Sequence, residues 1–337
     1  MSLICYALRD MRNVLWGSHI RIFELTRSLG VQIIHGGGYT RFLEVVKNTS
    51  KLLKTNRVLI FDYWTTPYDF LFLNFLKRKS GLIFDIADIP YLQPIYFNGQ
   101  KNINMELLKK VQKKFLWLIS ISNILLFISP TEFNLLNINL KGKKIIFVPN
   151  AANPYFFSKT PIQKNKRKTI LYVGGYVPAR GVDILIEAFY LLRKKRKDIA
   201  LKLVGASIPQ GLQRDGIVVE PNKFYPDMPK TYSESYLCVI PHKKNPYMDA
   251  ALPIKLFDAM AAARPVVVTN CYEMARLVNS EKCGFVAEDN AESLAETIGY
   301  LVSDDSLARE MGEKGREAVE KKHSWKHRAQ TIIKNIE

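Results

Sequence analysis

Residues 253–270, PIKLFDAMAAARPVVVTN, decide the fold class of this chain. Apolar residues recur at helical spacing as far as Ala263, and the run PVVVT that follows is typical of a strand buried on both faces. Such apolar strands, alternating with amphipathic helices, indicate a parallel sheet covered by helices on both sides. The first helical turn also carries Lys255, and Asp258 follows three residues later, although a purely structural helix needs neither charge.

The same alternation of strand and helix extends outward from this stretch. In the second half the pattern predicts helices at 181–197 and near 225–235, and strands at 168–175, 199–206, 216–220 and 236–241. The first half repeats the pattern less clearly, with strands predicted at 56–63, 80–88, 123–129 and 143–150. We therefore expect an α/β protein with two Rossmann-like halves.

The length of 337 residues fits two domains of ordinary size. The periodicity is interrupted in 153–168, where two prolines and a basic polar run occur. The sequence therefore predicts an N-terminal domain over 1–153 and a C-terminal domain over 154–324.

The net charge of +18 is concentrated in the first half, where residues 1–160 hold 21 Lys and Arg against 9 Asp and Glu. Such a field attracts nucleic acid, anionic lipid headgroups or phosphorylated substrates. The alternative is a basic surface that only keeps the protein soluble. No apolar run is long enough to span a bilayer and the N-terminus lacks a signal pattern, so we expect a cytoplasmic protein.

The four cysteines fall at no metal-ligand or redox spacing, which predicts buried free thiols at Cys5, Cys238, Cys271 and Cys283.

The segment GGYVPARG, residues 174–181, follows a predicted strand at the end where open parallel sheets bind ligands. Gly174 and Gly175 permit close backbone approach, and Arg180 stands at the start of the next helix, where free N–H groups favour an anion. The pattern predicts a diphosphate site; the alternative is a tight turn with a solvated arginine. The motifs GxGxxG and GxxxxGK[ST] are absent, which argues against dinucleotide oxidoreductases and P-loop NTPases.

Lys255 and Asp258 are neighbours on a helix surface because they are three residues apart. A lysine in a first helical turn opposes the helix dipole, which indicates a bound anion, and the acid could accept hydrogen bonds from ribose hydroxyls. The alternative is a surface salt bridge worth about 0.3 to 0.5 kcal/mol.

The opening stretch resembles the P-x-K-x-x-E-[AY]-M-A-x-G-x-P-V-V signature of GT-B glycosyltransferases, of the retaining kind grouped as family 4 (glycosyl transferases group 1). Four further segments resemble motifs of that family in the same order, namely 16–33, 82–90, 147–157 and 172–189. The resemblance implies a GT-B fold of two Rossmann-like domains with parallel sheets facing across a cleft. It also implies that helix 325–337 packs back on the first domain.

The resemblance implies a hexosyltransferase that uses a nucleotide-diphosphate sugar as donor, needs neither cofactor nor metal, and glycosylates a lipid-linked or growing glycan acceptor with retention. Arg180 and Lys255 would hold the donor diphosphate and Asp258 the ribose, so these three are the candidate catalytic residues. The predicted substrate-binding residues are Gly17, Asp88, Asn150, Gly174, Gly175, Asp249, Pro253 and Ile254.

Three positions depart from the family pattern. The family's motif histidine falls on Ala87, a motif arginine on Gly175, and the first glutamate of its E-x(7)-E pair on Ala250, with Asp249 one residue away. These losses keep open a degenerate, non-catalytic protein that binds a nucleotide sugar or an anionic membrane. A nucleotide-sugar 2-epimerase of the same fold is a weaker rival because the chain has only five histidines. Nucleic-acid binding is disfavoured because no recognition motif accompanies the charge.

The segment MELLKKVQKKFLWLI, residues 105–119, bears on the acceptor and on localisation. Lys109, Lys110, Lys113 and Lys114 stand beside Phe115 and Trp117, a pattern suited to an anionic membrane surface on the inner face of the cell membrane. The alternative is an amphipathic helix that packs Leu108, Val111, Phe115 and Leu118 into the domain core.

Overall fold

The computed structural model describes residues 2–9, 17–35, 38–97, 103–157, 167–212 and 215–336. Residues 158–166, the middle of the predicted interdomain stretch, lie outside the described residues, and so does Trp16 of the first resembling segment. The chain divides into two compact units. The first comprises Met1–Ile95, Gln100–Pro149 and Trp325–Glu337, and the second comprises Tyr96–Gly99 and Asn150–Ser324.

The first unit is built on a six-stranded parallel sheet with the order β2-β1-β3-β4-β5-β6. The strands are β1 (Leu3–Ala7), β2 (Ile33–Ile34), β3 (Arg57–Phe61), β4 (Gly81–Ile86), β5 (Ile124–Phe127) and β6 (Lys144–Phe147). The helices of this part of the chain are α1 (Gly17–Leu29), α2 (Gly38–Lys47), α3 (Thr49–Leu53), α4 (Pro67–Lys77), α5 (Gln93–Phe97), α6 (Met105–Ile121) and α7 (Pro130–Leu136).

The second unit has a second six-stranded parallel sheet, with the order β12-β11-β10-β7-β8-β9. Its strands are β7 (Lys168–Val173), β8 (Ile199–Val204), β9 (Ile217–Glu220), β10 (Leu237–Ile240), β11 (Val266–Thr269) and β12 (Gly284–Ala287). Its helices are α8 (Val182–Lys195), α9 (Met228–Ser233), α10 (Pro246–Asp249), α11 (Ile254–Ala261), α12 (Tyr272–Glu281), α13 (Ala291–Ser303) and α14 (Asp305–Lys321). The last helix, α15 (Trp325–Ile336), is part of the first unit, where it packs against α1.

The two parallel sheets confirm the predicted α/β class with two Rossmann-like halves. The predicted strands of both halves are present, although each is shorter at its ends than the apolar pattern. All four cysteines are buried and free, as expected. In the described residues no helix is long and apolar enough to cross a membrane.

Helix α6, for which the sequence left a membrane-facing and a core-packing interpretation open, packs two of its aromatic side chains within the first unit. Phe115 is 1% exposed in the core of the first unit, and Trp117 packs on Phe70 with ring centroids 4.0 Å apart. Lys114 Nζ donates a hydrogen bond of 2.8 Å to the carbonyl of Thr65. The core alternative holds for Phe115 and Leu118, because the second half of α6 is the part that faces the sheet.

Helix α11, which carries the decisive stretch, is held firmly against its surroundings. Every residue from Leu256 to Ala261 is buried, and α14 packs on the helix. Arg316 of α14 donates a hydrogen bond of 2.5 Å to the carbonyl of Ala261. Gly312 lies so close that an added methyl group would stand 2.3 Å from the Ala263 carbonyl oxygen. The start of α11 is therefore fixed relative to the sheet.

Candidate functional site

The loop after β7 brings Gly174 and Gly175 beneath two cationic side chains. A methyl group added at Gly174 would lie 3.2 Å from Lys255 Nζ, and one added at Gly175 would lie 3.3 Å from Arg180 Nη1. Gly174 has φ +139°, which side chains rarely adopt. The structure therefore brings together four predicted site residues at the carboxyl end of β7.

Lys255 and Arg180 are both partly buried, and neither forms an ion pair with a carboxylate of the described residues. Burial, and secondarily the charge of Arg180, hold the pKa of Lys255 well below its usual 10.5. A buried ammonium without a counter-ion is costly, and a bound anion would remove that cost. The pair therefore has the charge and the burial that suit a multiply charged anion.

Tyr172, a residue that the sequence analysis missed, organises this pair. Its hydroxyl donates a hydrogen bond of 3.0 Å to the carbonyl of Gly175, and Lys255 Nζ lies 4.7 Å from the centre of its ring. A cation over an aromatic face is favourable by about 0.5 to 2 kcal/mol. The only signal in the sequence is an aromatic residue near the end of a strand, which does not distinguish Tyr172 from core tyrosines.

The turn that carries Arg180 is fixed by a glycine. Residues Pro178–Arg180 form a 3-10 turn, and Gly181 follows with φ +62°. A methyl group at Gly181 would stand 1.8 Å from the carbonyl oxygen of Pro241, in the loop after β10. Glycine is thus required for Arg180 to return toward Gly175, the position at which the resembling family has an arginine of its own.

His242 is a second residue that the sequence analysis did not assign to the site. It follows β10, is 4% exposed, and neither ring nitrogen has a hydrogen-bond partner in the described part of the chain. Burial, together with the charges of Lys255 and Arg180, holds its pKa well below 6.5, so the imidazole is neutral at pH 7. Only the carboxyl-end position after a strand could have indicated it.

The start of α11 adds backbone donors beside Lys255. Pro253 is the N-cap residue and provides no side-chain cap, and no acid lies in the first turn. Free N–H groups at a helix start favour an anion. Pro253 and Ile254 directly precede Lys255 at this helix start. Their role in binding a substrate through the backbone stays a prediction.

Asp258 is not paired with Lys255. It is 4% exposed and accepts a hydrogen bond of 3.0 Å from the hydroxyl of Tyr225, whose ring stacks on Phe156 with centroids 5.0 Å apart. The alternative of a surface salt bridge is therefore wrong, because no ion pair joins the two described side chains. Its role toward a ribose stays a prediction.

Two of the other predicted side chains, Asp249 and Asn150, make structural hydrogen bonds. Asp249 accepts a hydrogen bond of 2.9 Å from the backbone N–H of Tyr272 and so caps α12. Asn150 Nδ2 donates a hydrogen bond of 2.9 Å to the carbonyl of Leu252 and so holds the loop before α11. Gly17, the first residue of α1, and the exposed Asp88 after β4 belong to the first unit. Their binding roles remain predictions.

Part of the chain is similar in sequence to known glycosyltransferases. Residues 167–304 match the family "Glycosyl transferases group 1". An uncharacterized glycosyltransferase of Haemophilus influenzae is 29% identical over 175 residues, which are 49% of this chain and 48% of that protein. The capsular polysaccharide biosynthesis glycosyltransferase CapM of Staphylococcus aureus is 24% identical over 274 residues, 73% of this chain and 71% of CapM. The chain thus spans about half the length of the first of these relatives.

Two solved structures share the whole fold. Sucrose-phosphate synthase from Thermosynechococcus elongatus superposes with a TM-score of 0.75 at 17% identity, covering 100% of this chain and 98% of that one. HepE of Anabaena in complex with UDP-glucose superposes with a TM-score of 0.70 at 13% identity, covering 100% and 99%. The chain has the GT-B fold of glycosyltransferases. The residues that match the group 1 family lie within its second unit.

Proposed function

We propose that this chain is a glycosyltransferase that moves a hexosyl-type sugar from a nucleotide-diphosphate sugar to a hydroxyl acceptor. The observation that carries the proposal is the pair of cations, Lys255 and Arg180, at Gly174 and Gly175 without a carboxylate partner among the described residues. A diphosphate supplies the counter-charge that the pair lacks. The group 1 domain, which contains all four residues, is the second support.

The two cations have a direct role in the chemistry. When the bond from the sugar to the diphosphate breaks, negative charge develops on the leaving phosphate oxygens. Fixed positive groups at that point stabilise the transition state more than the ground state. Lys255, Arg180 and the N–H groups at the start of α11 can take this role, so we propose a reaction that needs neither metal nor cofactor. Retention of configuration is proposed on the resemblance to family 4.

Donor and acceptor are proposed from the relatives. The HepE structure holds UDP-glucose, which supports a nucleotide sugar as donor. CapM is named for capsular polysaccharide biosynthesis, which supports a growing or lipid-linked glycan as acceptor. We propose a cytoplasmic enzyme that works as a peripheral protein on the inner face of the cell membrane.

A second candidate is a binding protein without turnover. Ala250 stands where the family has its first glutamate, and the neighbouring Asp249 is engaged in capping α12. The acid that would lie near the sugar is thus missing from this loop, while the diphosphate cations remain. Binding of a nucleotide sugar without transfer is the result that this candidate predicts.

The test is a turnover assay with a matched control. The full chain is incubated with UDP-, GDP- and ADP-sugars, with and without EDTA and with lipid-extract or oligosaccharide acceptors, and release of nucleoside diphosphate is measured. We expect one sugar nucleotide to be turned over, EDTA to have no effect, and the product anomer, read by proton NMR, to match the donor. Lys255→Met should lose about 10²-fold or more in kcat, whereas Lys202→Met, outside the site, should retain activity. Binding without turnover supports the second candidate, and absence of binding overturns both.

A further inference from the structure

Exposed apolar side chains are concentrated in one segment of the first unit. Of the 18 large apolar side chains that are exposed among the described residues, eight lie between residues 42 and 75. They are Phe42, Leu43, Val46, Leu53, Trp64, Tyr68, Leu71 and Phe75. Scattered single residues of this kind need no explanation, but a contiguous group marks an interaction surface.

Helix α4 has an apolar stripe on each of two sides. Leu73 and Leu76 are fully buried against the sheet, whereas Tyr68, Leu71 and Phe75 are 56%, 75% and 45% exposed. The exposed three follow the i, i+3, i+7 spacing of one helix face. This outward stripe is largely exposed.

Helix α2 continues the same surface. Phe42 and Val46, one helical turn apart, are 39% and 55% exposed, and Leu43 beside them is 39% exposed. The ring of Phe42 lies 5.2 Å from that of Tyr68 on α4. We call the exposed side chains Phe42, Leu43, Val46, Tyr68, Leu71 and Phe75 the α2–α4 face.

A groove of about 300 Å³ lies in this face, and its walls include Phe42, Val45, Leu71 and Phe72. Its floor contains the carboxylate of Asp69, which is neutralised by Arg41 Nη2 at 2.6 Å. The Tyr6 hydroxyl donates a further hydrogen bond of 2.7 Å to the same carboxylate. The charged floor is thus internally satisfied, and the walls offer apolar contact.

Basic side chains stand at the ends of the helices that form the α2–α4 face. Lys47 and Lys51 lie at the end of α2 and in α3, and Lys77, Arg78 and Lys79 lie at the end of α4, all of them exposed. Lys79 Nζ lies 5.3 Å from the centre of the Phe75 ring, so cation and apolar stripe adjoin. Within 42–56 and 67–79 the only acids are Glu44 and the neutralised Asp69.

We propose that the α2–α4 face docks on an anionic lipid bilayer, with its apolar side chains in the headgroup boundary and the surrounding lysines and arginine on the lipid phosphates. An apolar stripe bordered by cations is complementary to that surface and to few protein surfaces. The inference rests on the proposed function, because a lipid-linked acceptor is the reason to be at a membrane. It places the contact on α2 and α4, and not on α6, for which a membrane contact was one of two interpretations.

The experiment is sedimentation of the full chain with vesicles of phosphatidylglycerol and phosphatidylcholine, compared with vesicles of phosphatidylcholine alone. We expect binding only to the anionic vesicles. The triple variant Lys77→Gln, Arg78→Gln, Lys79→Gln should bind about 100-fold more weakly, at about fivefold per cation lost, and Leu71→Ser at least about fivefold more weakly.

Two matched controls make the result specific. Lys109→Gln, Lys110→Gln, Lys113→Gln removes three exposed charges from α6, and Val218→Ser removes a side chain that is 51% exposed on β9. Both controls should bind vesicles within about threefold of the wild-type chain, since neither changes a residue of the face. Equal loss in a control, or no preference for anionic vesicles, overturns the inference. A dimer that Leu71→Ser dissociates also overturns it, because a second copy would then cover the face.

The same variants are tested for stabilisation by nucleotide sugars. Vesicle binding lost by Leu71→Ser while nucleotide stabilisation persists shows that the fold and the donor site are intact. If the wild-type chain binds nucleotide sugars but no vesicles, only the docking inference fails. If it binds vesicles but no nucleotide sugar, the proposed function fails and the docking surface stands.

Discussion

Lys255→Met should make the protein more stable while it removes donor binding. The folded state holds the pKa of Lys255 below 10.5 through burial and the charge of Arg180. A lysine whose pKa is lowered in the folded state destabilises that state. The destabilisation is fully present at pH values below the folded-state pKa, and it disappears as pH rises from the folded-state pKa to 10.5. Each pKa unit is equivalent to about 1.4 kcal/mol. Loss of the contact with the Tyr172 ring offsets about 0.5 to 2 kcal/mol of the gain.

We therefore expect a net stabilisation at pH 7, measured as a rise in melting temperature. Binding of a nucleotide diphosphate should weaken by about 10- to 150-fold, the value of one charge-assisted hydrogen bond. Calorimetry measures the first quantity and ligand titration the second. The control is Lys202→Met, because Lys202 is ion-paired with Glu220 at 2.9 Å and its pKa is raised by that and a second carboxylate. That variant should lose stability and keep binding. A destabilised Lys255→Met, or one that binds as well as wild type, refutes the reasoning.

Three further predictions concern the backbone and pH. Gly181→Ala should lower the free energy of unfolding by more than about 2 kcal/mol, because the new methyl group clashes with a carbonyl oxygen and a non-glycine residue is strained in the left-handed backbone conformation. The control Gly30→Ala, at φ +66° in open space, should lose only about 1 kcal/mol. Equal losses in urea denaturation would contradict this. Ala263 is strained by its left-handed backbone conformation, with φ +56°. Ala263→Gly should therefore raise the free energy of unfolding, measured with denaturant, by about 0.5 kcal/mol after the entropy cost of glycine is subtracted. A lower stability would contradict the strain at Ala263. A bound diphosphate should raise the lowered pKa of Lys255, so binding should take up protons and should weaken as pH rises. Calorimetric titration in buffers of different ionisation enthalpy measures the proton uptake. No uptake would show that this prediction is wrong.

The second unit was the easier half to predict because its strands are continuous apolar runs next to strong helix patterns. β7 and β8 pair over six residues in register, as the two runs at 168–175 and 199–206 indicate. β1 was missed because LICYA is only five residues long and no helical pattern stands directly beside it. β2, with two residues, carries no periodicity at all.

The site was predictable to the level of residue type and loop, and not to the level of contacts. Gly174, Gly175, Arg180 and Lys255 follow from glycines and cations at strand ends. Arg180 approaches Gly175 because the turn before α8 is fixed where Gly181 contacts Pro241. Pro241 lies 60 residues after Gly181 in the chain.

Long-range contacts that the sequence does not show involve two further side chains. Asp249 caps α12 because Tyr272, 23 residues later, begins a helix beside it. For Phe115 the sequence left a membrane position and a core position open, because helical spacing does not show which apolar side chains face the sheet. Such assignments need tertiary structure, since the same pattern fits a core and a surface.

The central claim is that a nucleotide diphosphate lies on Lys255 and Arg180 at Gly174 and Gly175. The most direct measurement is calorimetric titration of the full chain with UDP, GDP and ADP and their sugars, repeated with Lys255→Met and Lys202→Met. We expect one nucleotide to bind, to lose about tenfold or more in affinity in Lys255→Met, and to keep its affinity in Lys202→Met. If no nucleotide binds, or if the bound nucleotide is indifferent to Lys255, the donor site is not where this account places it.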